Sequence, residues 1–503
     1  MRIQIFVIII LFIVTLPYGR AQSKFDNTWI LGKEFTTFDK GGYDDAAEGM
    51  ILNFNQSPPL LNKKPIPNKL MSSTVLSNYE TGQLMFYTNG CRIFNKNHET
   101  MTGGDSINPG VQFTYFCNEG PSSYYSDFNG NLALPWPGTQ NKNKYILFTR
   151  PKSLSDPFIQ SILYHIIDMD TSDSLGIVVK KNIEVFKGKN LASISLQACK
   201  HKNGRDWWIL FWERHRPEYH VLLLDENGPR FSHTSTIGQI GPYSIGQACF
   251  NPDGSQYIWF DHTKGLVLYD FDRETGTLSR PRHKIILPYY EYGYGGVSFS
   301  PSGRFAYLSA RQELFQLDTW EEDFDQAFTL IDTINFVTYV GIPLDFSNSM
   351  LGPDCKIYIS TSFTWFFYHV IHHPDEKGTA CGLKKMDLEL PWPNSNSFVP
   401  NMVHYRMDEE EICDRSLTSL FPEEWYHSNK VKIYPNPAYD RLYIEAEGDV
   451  TINMINIAGE TVVRTSVIDK SSIDISTLPA GVYFVRIEGA AYPHPQVNKL
   501  IKL

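Results

Sequence analysis

Hydrophobic and polar positions alternate in short runs along most of the chain, and turn residues separate the runs. A typical unit reads GQACFNPDGSQYIWF at 246–260, with an apolar run, a Pro-Asp-Gly turn and a second run rich in aromatic and β-branched residues. This pattern predicts a β-hairpin, because Gly and Asp tolerate the backbone angles of a tight turn. Almost no run has a helical period of convincing length, so the pattern predicts an all-β protein.

The unit recurs about every fifty residues. Cys199 and Cys249 are fifty positions apart, and Phe250 and Phe299 are forty-nine apart. The stretches that carry the unit are 74–90, 132–149, 196–211, 246–260, 297–310 and 349–360. Further strand-like runs follow them, which suggests four strands in each unit. Small sheets of this kind bury their faces by stacking around an axis, and the period is typical of a β-propeller.

The N-terminal stretch 27–54 also has strand character, but it lacks an inner strand of its own. A strand around Val403–Met407 would complete it and close the ring, which would remove exposed sheet edges. We therefore predict a propeller of seven blades over residues 22–425, with six blades as the alternative.

From Val431 onward the strands become shorter and the period changes. About seven short runs in about seventy residues predict a small, immunoglobulin-like β-sandwich at 426–503. In one of these runs, Tyr483, Val485 and Ile487 should share a face of the strand. An adhesion module is the alternative interpretation of this segment.

The first residues resemble a leader in their charge and hydropathy. Arg2 precedes an apolar run, and Gly19 and Ala21 occupy the −3 and −1 positions of a cut after Ala21. This predicts a secretory signal peptide at 1–21. A transmembrane anchor is the alternative, but the apolar run is short for one. We expect the mature chain to have no transmembrane segment.

Composition narrows the class of partner. The 503-residue chain has a formal net charge of −10 and no basic stripe, which disfavours nucleic acid. Its seven cysteines form no CxxC pair, so zinc and thioredoxin-like sites have little support. Disulfides are permitted in an exported protein. We predict a disulfide between Cys355 and Cys381, because both lie in one predicted blade.

The C-terminal runs IYPNPAYDRLYIE, INIAGETV, IDISTLPAGVYFVRI and NKLIKL resemble the type A C-terminal sorting domain of type IX secretion cargo. The matching positions are Tyr434, Pro435, Asn436, Pro437, Gly459, Leu478, Gly481, Tyr483 and Lys499. The resemblance implies Sec export, docking of the tail with the type IX translocon, and a secreted or cell-surface destination. It also implies a cut near 427–432, with release or attachment to surface lipopolysaccharide. In the central part, WILGKE, GQLMFYTNGCRIFNKNHETM, YHIIDMD and the pair GPDCKIYI and HVIHHPDEKGTAC resemble a group of uncharacterised secreted propeller repeat proteins, for which there is no assigned activity to carry over.

Aromatic loops are the candidate ligand sites. PYYEYGYGG at 288–296, LPWPGT and LPWPNS contribute Tyr289, Tyr290, Tyr292, Tyr294, Trp136 and Trp392. At the mouth of a propeller channel these rings could stack on sugars or on peptide side chains. Packing between blades is the alternative.

The sequence predicts no catalytic residue, metal site or cofactor. Strand alternation divides His369 and His373 from His372, so the three do not converge. The acidic stretch 168–176 lacks the Gly and the final acidic residue of an EF-hand loop. A propeller that binds a glycan or protein is therefore favoured. An exported hydrolase or lyase acting on extracellular polysaccharide or peptide, and a structural element of surface or gliding machinery, are the alternatives.

Overall fold

The structure is a computed structural model, and its chain divides into two compact units, Met1–Thr418 and Ser419–Leu503. It describes residues 22–32, 48–66, 73–110, 130–138, 142–151, 159–192, 196–238, 246–286, 295–334, 344–362, 366–390, 399–409, 431–456, 460–489 and 492–503, and also Phe113, Thr114, Cys117, Gln140, Gly241, Pro242 and Cys413. The predicted signal peptide lies outside these residues, and so do positions 427–430 of the implied cleavage region 427–432.

The described part of the first unit forms seven small antiparallel sheets, which we label A to G in chain order. Sheet A has β1 (Thr28–Leu31), β2 (Glu48–Asn53) and β3 (Leu60–Pro65), and sheet B has β4 (Thr74–Ser77), β5 (Leu84–Thr88) and β6 (Ile93–Asn95). Sheet C has β7 (Asn131–Pro135), β8 (Lys144–Thr149), β9 (Ile159–Asp168) and β10 (Ile177–Leu191). Sheet D has β11 (Gln197–Lys200), β12 (Trp207–Trp212), β13 (Glu218–Asp225) and β14 (Gly228–Thr236).

The remaining sheets of this unit also have four strands each. Sheet E has β15 (Gly246–Phe250), β16 (Gln256–Asp261), β17 (Gly265–Asp272) and β18 (Thr277–Lys284). Sheet F has β19 (Gly296–Phe299), β20 (Phe305–Ala310), β21 (Glu313–Asp318) and β22 (Phe328–Thr333). Sheet G has β23 (Ser349–Leu351), β24 (Ile357–Ile359), β25 (Phe367–Ile371) and β26 (Leu383–Glu389), with a 3-10 turn at Gly378–Cys381.

Each of the six stretches with the recurring unit forms the first hairpin of a sheet, and local hydrogen bonds fix its turn. In sheet E, the Asn251 side chain accepts from the Gln256 amide at 2.8 Å, and Asp253 accepts from the Ser255 amide at 2.8 Å. Gly254 has a φ of +74°, and a Cβ there would lie 2.6 Å from the Cys199 sulfur of sheet D. Gly254 is therefore required both by the turn and by close contact between neighbouring sheets.

The sheets follow one another around a common centre. First strands lie beside each other in the pairs β1–β4, β4–β7, β11–β15, β15–β19 and β19–β23. The last sheet also contacts the first, because Tyr358 of β24 packs edge-on against Trp29 of β1 and against Phe54, with ring centroids 5.5 Å and 5.6 Å apart. A succession of small sheets with adjacent first strands is typical of a β-propeller.

One element of the predicted closure is wrong. Residues 399–409, which include the predicted strand Val403–Met407, form no strand. They do return to the N-terminal segment, but through side-chain interactions such as the ion pair of Arg406 with Asp26. The segment is irregular because it contacts several sheets in succession instead of following the edge of one.

The second unit has one described sheet of five strands: β27 (Lys432–Tyr434), β28 (Arg441–Asn456), β29 (Thr461–Asp474), β30 (Gly481–Gly489) and β31 (Tyr492–Lys502). The prediction of about seven short strands is corrected, because two pairs of runs merge into the long strands β28 and β29. Gly448, with a φ of +70°, and a shift in pairing between Glu445 and Asp449 let β28 continue through an irregular point. The predicted alternation is confirmed, since Tyr483, Val485 and Ile487 are all buried in one core.

Candidate functional site

Residues 399–409, which we call the central segment, lie among the first strands of the ring. At its beginning, the Asn401 amide donates to the Ser73 carbonyl at 2.9 Å, just before β4. At its end, the Met407 carbonyl accepts from the Lys200 ammonium at 3.1 Å, where β11 ends. The segment therefore runs from the upper end of the ring, where the first strands begin, to the lower end, where they finish.

Asn401 joins three sheets at the upper end. Its side-chain amide donates to the carbonyls of Asn131 at 2.9 Å and Leu196 at 3.3 Å, and its side-chain oxygen accepts from Gln197 at 2.6 Å. Its backbone carbonyl accepts from the Thr74 hydroxyl at 2.7 Å. Because Asn401 is only 7% exposed, each of these bonds replaces hydration that the groups have lost.

On the other side of the centre, the side chain of Gln247 also joins neighbouring sheets by hydrogen bonds. It occupies the position in sheet E that Gln197 occupies in sheet D, fifty residues earlier. Its amide donates to the Ser349 carbonyl at 2.7 Å, and its oxygen accepts from the amides of Ser349 at 3.0 Å and Val297 at 3.2 Å. Gln247 thus connects β15 with β19 and β23. The glutamines in the two QAC runs were not identified as functional candidates from the sequence, although their repetition was visible.

A buried ion pair fixes the middle of the central segment. The Arg406 guanidinium donates to both carboxylate oxygens of Asp26, at 2.8 Å and 2.6 Å, and to the Asn27 side chain at 2.9 Å. Both charged side chains are less than a tenth exposed. Loss of either partner would leave the other charge buried and unpaired, so the pair restrains this part of the segment.

Several perturbed pKa values cluster around the central segment, and burial is the main cause of each. Burial lowers the pKa of Lys200, raises the pKa of Glu409, and raises the pKa of Asp26. Burial also lowers the pKa of His404 to about 4. Such a cluster is a common sign of a functional site. In this chain the groups surround a segment of the same chain, which gives the shifts a structural explanation.

Very little open space remains at this point. The small cavity beside the central segment has a volume of about 10 Å³, which is room for about one water molecule. It is lined by Asp26, Leu351, Gly352, His404, Tyr405 and Arg406. Asp26 lies just before β1, Leu351 and Gly352 lie at the end of β23, and the other three residues belong to the central segment, so at this point the segment packs closely against the first and last sheets.

A disulfide secures the chain just beyond the central segment. Cys413 is bonded to Cys355, which lies in the turn between β23 and β24 at the lower end of sheet G. The predicted Cys355–Cys381 pair is therefore wrong, since Cys381 is a buried free thiol. Another disulfide joins Cys91 and Cys117. The sequence could not indicate Cys413 as the partner, because it lies outside the recurring units.

The histidines of the candidate cluster have separate structural roles. His369 is fully buried; its Nδ1 accepts from the Met386 amide at 3.1 Å, and its Nε2 donates to the Asp345 carbonyl at 3.2 Å. Met386 has a φ of +57° at an irregular point of β26, so the imidazole satisfies an amide that the strand pairing leaves free. Burial lowers the pKa of His369 to about 4. His372 instead contacts Asp387 at 2.7 Å.

His165 repeats this arrangement in sheet C. Its Nδ1 accepts from the Asn182 amide at 3.2 Å, and Asn182 also has a φ of +57°. Its Nε2 lies 3.0 Å from the Thr149 hydroxyl. Burial lowers its pKa to about 3. Among the described residues there is no group of three side chains suited to hold a metal ion.

The candidate ligand residues are only partly described. Trp136 is half-buried; its indole donates to the Glu226 carbonyl at 3.2 Å, and its ring lies beside Gly228 of sheet D. This position favours the alternative of packing between sheets. The other candidates, Tyr289, Tyr290, Tyr292, Tyr294 and Trp392, lie outside the described residues, so their role stays a prediction.

In the second unit, the proline-containing loop of the predicted sorting signal is hydrogen-bonded to the last residues of the chain. The Asn436 side chain accepts from the Ile501 amide at 2.9 Å, and the Ala438 amide donates to the Ile501 carbonyl at 2.8 Å. Pro435 and Pro437 lie in the connection between β27 and β28, where no ladder donor is needed. The loop between β27 and β28 is therefore held against the last strand, β31, by backbone and side-chain hydrogen bonds.

The other residues of the predicted signal have structural positions in the same unit. The Tyr434 hydroxyl donates to Glu445 at 2.7 Å, and its ring stacks on Tyr443. The Tyr483 hydroxyl donates to the Pro479 carbonyl at 2.8 Å, which fixes the turn before Gly481. Leu478 packs against the core. Gly459 lies outside the described residues, and of Lys499 only the pairing in β31 is described.

The described fold defines the chain as a nearly all-β protein, and a family match assigns its C-terminal unit. Residues 432–502 match the family described as "Secretion system C-terminal sorting domain". This domain is that of the type IX secretion system, and the protein is secreted or located at the cell surface. The described part of the chain contains no helix that is long and apolar enough to cross a membrane.

Comparison with other proteins does not assign an activity to this chain. No curated protein matches the chain. A protein from Bacteroides uniformis, provisionally assigned as a 6-phosphogluconolactonase, is 11% identical, with 74% of this chain and 98% of that chain covered and a TM-score of 0.42. A gluconolactonase from Xanthomonas campestris is also 11% identical, with 69% and 96% covered and a TM-score of 0.30. At such low identity and TM-score, these similarities carry no inference for this chain.

Proposed function

We propose that the chain is an exported, seven-bladed β-propeller that binds an extracellular glycan or protein through loops at the upper end of the ring. A leader at 1–21 directs Sec export, and the C-terminal unit directs passage through the type IX system. The observation that supports binding at the loops is the occupied centre. Because the central segment lies on the axis against β4, β7 and β11, it takes up space there, and a ligand has the loops and the outer faces available to it.

The loop that precedes β19 supplies the aromatic side chains for this interaction. Tyr289, Tyr290, Tyr292 and Tyr294 give it flat, amphipathic surfaces, which suit sugars and peptide side chains. Gln247 holds the start of β19 against β23, so the loop ends at a fixed point. Fixed aromatic groups bind with a smaller loss of conformational entropy than mobile ones.

The test is a binding screen with the purified chain on a glycan array and against extracellular proteins. We expect at least one ligand, and we expect Tyr290→Ala with Tyr292→Ala to weaken its binding at least tenfold. Phe231→Ala, at a half-exposed position on the outer strand β14, is the control. Failure of every ligand to bind would contradict the proposal, and so would conversion of a bound glycan or peptide to shorter products.

A further inference from the structure

We propose that Trp320, at the lower end of sheet F, is a stacking site for a neutral hexopyranose unit of an extracellular polysaccharide. This inference goes beyond the proposed function, which places its ligand on loops at the upper end of the ring, and shares with it the assumption of an extracellular ligand. It places a contact in the turn between β21 and β22, whereas the proposed tyrosine loop precedes β19.

Trp320 is the most exposed large hydrophobic side chain among the described residues of the first unit, at 67%. An indole has a large apolar face, and leaving it in water forgoes a substantial gain from burial. Single exposed hydrophobic residues are common on protein surfaces. The inference therefore depends on how this ring is supported.

One face of the ring rests on a fixed cation. The Arg304 guanidinium lies 5.2 Å from the Trp320 ring centroid and 4.9 Å from the Phe305 ring centroid. It also donates to both carboxylate oxygens of Asp318, at 3.1 Å and 2.8 Å. The two-point ion pair holds the guanidinium plane in one orientation, so the indole has a rigid support.

The backbone of the turn is fixed as well. Asp318 is 6% exposed, and its carboxylate accepts from the Trp320 amide at 3.3 Å. The Thr319 hydroxyl donates to the Arg304 carbonyl at 2.9 Å. Both Trp320 and Arg304 are thus connected to the same hairpin, and the exposed face of the indole is preorganised for a ligand.

The surrounding charges select the class of ligand. Glu321, Glu322 and Asp323 are exposed directly after the ring, so a uronic acid or a sulfated sugar would meet repulsion. A cationic side chain is disfavoured too, because Arg304 already lies against the ring and Lys377 is 3.7 Å from Asp318. A neutral sugar avoids both problems. Its C–H face can cover the indole while its hydroxyl groups donate to the carboxylates.

The experiment is affinity electrophoresis of the full chain in native gels that contain laminarin, mannan, xyloglucan or, as an anionic comparison, polygalacturonate. We expect at least one neutral polysaccharide to retard the protein. Trp320→Ala should weaken that binding at least tenfold, or about 1.4 kcal/mol. Trp320→Phe should retain part of it, and Phe231→Ala should leave it unchanged. Circular dichroism and urea unfolding will verify that each variant is folded.

The outcomes separate this inference from the proposed function. Binding of a neutral polysaccharide that is unchanged in Trp320→Ala would overturn the stacking site and leave the proposed function intact. Retardation by polygalacturonate alone would overturn the choice of a neutral sugar. If no glycan and no protein binds, both the inference and the proposed function fail.

Discussion

The substitution Asn401→Asp tests whether the central segment occupies the centre of the ring. The change keeps the size of the side chain but replaces the amide donor with a carboxylate oxygen. That oxygen would face the carbonyls of Asn131 and Leu196, now 2.9 Å and 3.3 Å from the amide nitrogen. Each carbonyl left without its donor costs about 1–3 kcal/mol, and the buried charge adds to this. We expect a total loss of about 4 kcal/mol or more in the free energy of unfolding.

The assay is urea unfolding at pH 7, followed by tryptophan fluorescence. Asn401→Ala removes these two hydrogen bonds and also the oxygen that accepts from Gln197, but it adds no buried charge, so the free energy of unfolding should fall by less, about 3 kcal/mol. The difference in the free energy of unfolding between Asn401→Asp and Asn401→Ala should become smaller at lower pH. Burial and the facing carbonyls raise the pKa of the new carboxyl, and its penalty disappears once it is protonated.

Asn97→Asp, at an exposed turn position, is the matched control and should change stability by less than about 0.5 kcal/mol. If Asn401→Asp behaves like this control, the segment does not lie in the centre, and the hydrogen bonds of Asn401 do not hold the sheets together.

Three further predictions concern the disulfide, pH and export. Replacing Cys355 and Cys413 together with Ala should lower the free energy of unfolding by roughly 4 kcal/mol, because the bond closes a 58-residue separation; finding either cysteine alkylated in the native oxidised protein would contradict the pairing. The contribution of neutral His369 to the free energy of unfolding should be fully present above about pH 6.5 and should be lost as the pH falls toward 4, because burial lowers the pKa of His369 to about 4 and protonation of the ring favours the unfolded chain. This contribution is roughly 3 kcal/mol, and a His369→Gln variant should show a shallower pH dependence of the unfolding free energy in urea titrations. Removing Val431–Leu503 should hold the first unit in the periplasm, and cell fractionation that finds it outside the cell would refute this.

The local hairpins were accessible from the sequence because their determinants are local. Turn residues such as Asp253 form hydrogen bonds within a few positions, and alternation at 483–487 predicted which side chains are buried. These features depend on strand and turn chemistry that each segment carries by itself.

The contents of the centre were not accessible, because they depend on distant residues. Asn401 bonds to positions more than 200 residues away, and nothing in its neighbourhood indicates this. Cys413 pairs with Cys355 across 58 positions of sequence, and the central segment lies between the two cysteines along the chain. The prediction of a regular strand at 403–407 failed for the same reason, since the hydrogen bonds of this segment go to several sheets.

Hydrogen–deuterium exchange of the oxidised full chain tests the filled centre most directly. We predict that amides in 399–409 exchange as slowly as those of the inner strand 197–200, because both open only when the ring unfolds. Exchange of 399–409 within seconds, at the rate of the exposed turn 320–326, would contradict the filled centre and with it the reason for placing ligand binding on the loops.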